Sequence, residues 1–186
     1  MTFYPNQPIP LDINHHRYCR ERKFPPYRHI PGFTPHPVKD PRGHSYKKEH
    51  KRSCNTTTLV LPPEKWQNNQ QYLYGVDLFN FSYWWEAHEA WEEDWCKSKG
   101  NHKKFLQGLI QICAAMIKQH VCQWRGVKNC LYVGVLDYLR LNRITRSIWE
   151  LVWLAYYTGL ICSSETSLIM VSIINQLIPL CSHHCL

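Results

Sequence analysis

The chain reads as all-α on three observations. Apolar residues recur at three- and four-residue spacing from about residue 66 onward. No stretch alternates like a strand between hairpin turns. Helix-stop signals cut the pattern into segments joined by short connections. The expected architecture is a helical bundle of four to six helices carrying an extended Pro-rich N-terminal arm. We divide the chain into a basic, Pro- and His-rich arm over 1–65, a helical core over 66–144 and an apolar C-terminal segment over 145–186. A length of 186 residues suits one domain with such an arm.

In the arm, Pro25-Pro26, Pro31-Gly32, Pro35, Pro37, Pro41 and Gly43 exclude a long helix or a central strand. The stretch from Phe24 to Tyr46 is too aromatic for a flexible linker, and Phe24, Tyr27, Ile30 and Phe33 are expected to anchor it on the helices. Residues 47–58 read as a spacer. The first helix is expected over 68–80, with Tyr72, Val76 and Leu78 or Phe79 inward. Ser82 reads as the N-cap of the second helix, which stops at Gly100-Asn101. A third helix over about 102–120 carries the stripe Leu106, Leu109, Ile110, Cys113 and Ile117. A fourth over about 126–142 carries Leu131, Val135, Leu136 and Leu139. Short connections make neighbours antiparallel. From 147 to 186 the only charged side chains are Glu150 and Glu165. Two apolar helices are expected there, and burial or self-association through 147–186 follows from their lack of a polar face. No apolar run reaches the 18–20 or so residues of a membrane span.

The formal charge of +8 is uneven. Residues 1–58 hold eleven Lys and Arg against four Asp and Glu, whereas the rest hold eleven against ten. The arm therefore carries the basic character, and an anionic partner, nucleic acid included, would meet it there, with Lys39 and Arg42 beside His36 and His44. Nine scattered Cys give an odd count with no disulfide framework. Together with the absence of a hydrophobic leader, this predicts a reducing, cytoplasmic location.

The densest motif is Trp84-Trp-Glu-Ala-His-Glu-Ala-Trp-Glu-Glu-Asp-Trp95. As a helix it sets Trp84, His88, Trp91 and Trp95 on one stripe with Glu92 beside it. Polar groups drawn into such surroundings need partners, because leaving them unpaired costs about 1–3 kcal/mol each. Glu86, Glu89 and Glu93 read as a solvated acidic face, with Lys97 pairing Glu93 one turn on.

Gly75-Val-Asp-Leu-Phe-Asn80, Trp85 to Trp95 and Phe105-Leu-Gln-Gly-Leu-Ile-Gln-Ile-Cys-Ala-Ala-Met-Ile-Lys118, followed by Gly126, resemble the DUF309 family of small helical proteins in order and spacing. The arm from Pro25 to Tyr46 is similar to the leader of some longer members. The resemblance covers about 23–141 and implies an all-α bundle. It implies no activity, since the family is of unknown function.

Three chemical readings of the motif compete. The first is a non-enzymatic interaction or scaffold protein. In it His88 and Glu92 meet Gln107 and Gln111, also one turn apart, across the seam between the second and third helices. The second is a divalent metal site, with His88 and Glu92 as an i,i+4 pair completed by Glu89 or by His36 and His44 from the arm. Position 92 is Glu, so the second His of a zincin motif is missing. The third is hydrolase-like catalysis with His88 as general base and Glu92 or Glu89 orienting it. Cys113 is the one nucleophile that could approach, from an apolar stripe.

Overall fold

The computed structural model describes residues 16–46 and 63–130. A 3-10 helix, Pro63–Asn68, leads into α1 (Gln70–Asn80), α2 (Trp84–Lys97) and α3 (Gly100–His120). A fourth helical segment, α4, is described over 124–130. Among the described residues there is no strand. The expected fold class therefore holds. The apolar segment over 145–186, including the helices expected there, lies outside the described residues.

Each helix boundary has a local cause. Asn69 caps α1, its side chain accepting from the backbone N–H of Gln71 and Tyr72, which satisfies two of the four donors a helix start leaves open. Its amide nitrogen also donates to Asp94 Oδ2 at 2.9 Å, tying the start of α1 to the end of α2. Ser82 does not cap α2. The helix begins after Tyr83, without a side-chain cap, because Ser82 has a left-handed backbone, φ 65°, and its N–H closes the turn onto Phe79. The second helix ends at Lys97 rather than at Gly100: Ser98 turns extended there, and its hydroxyl donates to the carbonyl of Asp94 at 2.8 Å.

The core is apolar and shared by all three long helices. Tyr72, Val76, Leu78 and Phe79 of α1, Ala87, Ala90 and Trp91 of α2, and Leu106, Leu109, Ile110, Cys113 and Met116 of α3 form one buried cluster. Ile117 is only partly buried at its edge. The α2–α3 and α1–α2 seams are the principal interfaces. Full burial of a large apolar side chain contributes about 1.5–3 kcal/mol, so this cluster, and not the polar motif, is what holds the helices together. Among the described residues, no helix is long and apolar enough to cross a membrane.

The arm lies on the α1–α2 side of the bundle. Phe24 packs between Phe81 and Tyr83, with centroids at 4.9 and 5.2 Å. The hydroxyl of Tyr27 donates to the carbonyl of Pro35 and accepts from the N–H of His44, folding the arm onto itself. Ile30 is half-buried. Phe33 is not an anchor: it stands 72% exposed at a turn where Gly32 adopts φ 81°, so its ring is carried away from the helices.

Candidate metal site on the second helix

Trp85, His88, Glu89 and Glu92 fall at i, i+3, i+4 and i+7 of α2, which makes them one stripe. That stripe flanks the face carrying Ala87, Ala90 and Trp91 into the core, so its side chains are left half-buried. One ligand atom each from His88, Glu89 and Glu92 lies within 4.8 Å of the others. His88 Nε2 stands 4.0 Å from Glu92 Oε2, with side-chain exposures of 27% and 35%. That separation is too long for a hydrogen bond. The two groups face a common space without closing on each other. Two ligand atoms on one ion at about 2.1 Å stand about 3–4 Å apart, so small rotations would bring the three together.

Gln107 and Gln111 are half-buried on α3. Among the described residues, no hydrogen bond joins either of them to His88 or Glu92. The α2–α3 seam is filled by apolar side chains instead. Cys113 is fully buried, and burial pushes its thiol well above the ordinary range. A thiolate nucleophile is not available there.

The arm histidines lie one turn away from the trio, around Trp85. The rings of His29, His36 and His44 stand 5.5, 5.7 and 6.4 Å from the Trp85 ring, all edge-on. His44 Nε2 sits 3.1 Å from Glu86 Oε1, and its Nδ1 pairs with the Ser45 hydroxyl at 2.9 Å. His36 Nδ1 accepts from the N–H of Val38 and Lys39, which places its proton on Nε2. Both rings are thus committed to holding the arm. The sequence grouped His36 and His44 with His88, Glu89 and Glu92 as ligands; the structure gives the arm histidines Trp85 and Glu86 as neighbours.

Glu86 is the residue the sequence misread. Expected on a solvated face, it is 6% exposed. Its Oε1 accepts from the backbone N–H of His29 at 2.9 Å as well as facing His44, while its Oε2 is buried with no hydrogen-bond partner among the described residues. The arm covers that flank of α2, and the signal was the arm itself, whose three imidazoles needed an acceptor. Asp77 was likewise missed. Wholly buried, it accepts from the N–H of Tyr18 and Cys19 at 2.9 and 2.8 Å, with Arg17 Nε 3.7 Å away. The Lys97–Glu93 pair forms as expected, at 3.2 Å.

The anion-binding group expected at Lys39 and Arg42 is differently arranged. Arg42 makes a two-point contact with Asp40 and holds that carboxyl down at about 2. Its charge is therefore matched within the arm, although Arg42 and Lys39 are both exposed.

Residues 72–130 match the model of a family described as a domain of unknown function, DUF309. The match takes in α1 from Tyr72, α2, α3 and the described part of α4, and not the arm. No curated protein and no solved structure matches the chain. The segment 72–130, about a third of the chain, is thus similar to the DUF309 family.

Proposed function

We propose that the protein is a divalent-cation-binding helical module whose ligands are His88, Glu89 and Glu92. The observation that carries this reading is the convergence of one imidazole and two carboxylates from a single helix face within 4.8 Å, while that face stays open to solvent. One nitrogen and two oxygen donors suit ions of the Mn, Fe(II) and Zn type, with water filling the remaining positions. The rigid α2 backbone, pinned by Trp91 in the core, supplies the positioning. The glutamine-centred scaffold reading is less well supported, since among the described residues no hydrogen bond joins His88 to Gln107 or Gln111. A hydrolytic activity, if present, would use an ion-bound water and not a protein thiol.

The test uses untagged protein titrated with Mn(II), an ion with little affinity for thiols, so that the nine Cys do not compete. One equivalent bound, lost in both His88→Ala and Glu92→Gln, is the expected result. Binding that is absent, or unchanged in both variants, overturns the proposal.

A further inference from the structure

We propose that the segment 27–46 of the arm is an acid-released clasp: its three histidines dock together on Trp85 and Glu86, and charging His29 in that cluster detaches the segment from α2 while the helices stay folded.

The geometry sets three imidazoles against one carboxylate. His29 and His36 are 5.1 Å apart, centroid to centroid, and His44 reaches the same Trp85 ring. Glu86 Oε1 serves both the His29 N–H and the His44 ring. One buried negative charge can offset one imidazolium. A second or third proton places like charges about 5 Å apart on a largely desolvated surface, where their repulsion is poorly screened. Among the described residues, the other charged or titratable groups around this surface are Arg28, which Tyr83 feels together with Glu86, Tyr74, which also feels Glu86, Tyr27, edge-on to His44 at 4.8 Å, and Glu89, one turn from Trp85 on the half-buried stripe of α2. Arg28 adds to the positive charge that protonation builds up.

A second contact acts in the same direction. His120, at the end of α3, packs on Trp84 at 5.8 Å and feels the guanidinium of Arg28 in the arm. Charging His120 sets it against Arg28.

The titration agrees in sign. Burial, then the neighbouring His36, lower His29 below its ordinary 6.5. Burial, then Arg28, lower His120 likewise. A histidine whose docked value is depressed binds protons more readily when released. Docking is therefore at full strength above about 6.5 and weakens as pH falls below it. The arm's other anchor contains no such group: Asp77 holds the N–H of Tyr18 and Cys19.

Hydrogen exchange of the whole chain at pH 7.5 and 5.5, expressed as protection factors so that intrinsic pH dependence is divided out, tests this. The His29 amide should lose protection about tenfold or more at pH 5.5. The Tyr18 and Cys19 amides and the core amides of α1–α3 should keep theirs. The double variant His29→Asn and His36→Asn should show a smaller acid effect. Equal His29 protection at both pH values overturns the clasp. So does parallel loss at Tyr18 and in the helices, which would report global unfolding. The wild-type comparison decides the matter even where the variants fail to fold.

Discussion

The indole of Trp91 occupies the space that a Cβ on Gly75 would need: a methyl built there overlaps Nε1 of the ring and lies 2.7 Å from Cδ1 and Cε2. The same indole N–H donates to the carbonyl of Tyr72 at 3.1 Å, so the ring is fixed by a hydrogen bond as well as by full burial. Gly75→Ala removes a flexible residue from the interior of α1, which by itself favours the helix by about 0.5–1 kcal/mol. It also forces a rigid ring out of a close-packed core, which costs about 1–3 kcal/mol. The second effect wins. Urea unfolding should show a net loss of about 1–2 kcal/mol, and a variant as stable as the parent would mean that the α1–α2 contact is looser than described.

Asp77 ties the start of the arm to α1 through two backbone N–H groups. Asp77→Ala leaves both donors without their acceptor at a buried position, and each such orphan costs about 1–3 kcal/mol where water cannot reach it. The arm can escape part of that cost by lifting off, so the loss should appear locally first. Limited proteolysis should cut between 16 and 30 much faster in Asp77→Ala than in the parent. Asp77→Asn keeps one acceptor and should fall between the two. Equal cleavage in all three would show that the aromatic contacts of Phe24 alone seat the arm.

What was legible in the sequence follows from how local each signal is. Helical periodicity is written within a dozen residues, so Tyr72, Val76, Leu106, Leu109 and Cys113 could be assigned inward, and they are buried. The i,i+4 pairing of Lys97 with Glu93 is equally local. Ser82 and Gly100 misled because both have a left-handed backbone, φ 65° and 57°, Ser82 in the turn before α2 and Gly100 as the first residue of α3, instead of capping or stopping α2. Glu86 and Asp77 were illegible for a different reason: their hydrogen-bond partners lie 42–59 residues away in sequence, in an arm without periodicity. The spacing of the candidate site is local: His88, Glu89 and Glu92 converge from about one turn of α2, whereas the neighbours of His36 and His44 are set by how the arm crosses α2.

The described cysteines include two with opposite chemistry. Cys113 is fully buried, with its thiol pushed well up by desolvation. Cys122 is exposed in the turn after α3, at φ 58°. A thiol reacts as its thiolate and only where reagent can reach it. Brief treatment with a maleimide at pH 7.5, followed by peptide mapping, should label Cys122 and leave Cys113 untouched until denaturant is added. Early labelling of Cys113 would show that α3 opens on the timescale of the reaction.

His88 separates a packing role from a ligand role. A satisfied buried partner would cost about 1–3 kcal/mol on truncation. His88 instead keeps 27% of its side chain exposed and stands 4.0 Å from Glu92, beyond hydrogen-bond range. His88→Ala should therefore change stability by no more than about 0.5 kcal/mol in metal-free protein, as substitutions away from buried networks do. With Mn(II) present at a large excess over its dissociation constant, the parent should gain stability by mass action, about 2.7 kcal/mol at a hundredfold excess, and the variant should not. Thermal unfolding of both proteins, with and without the ion, measures all four states. A large loss in the metal-free variant would return His88 to the role of a structural partner.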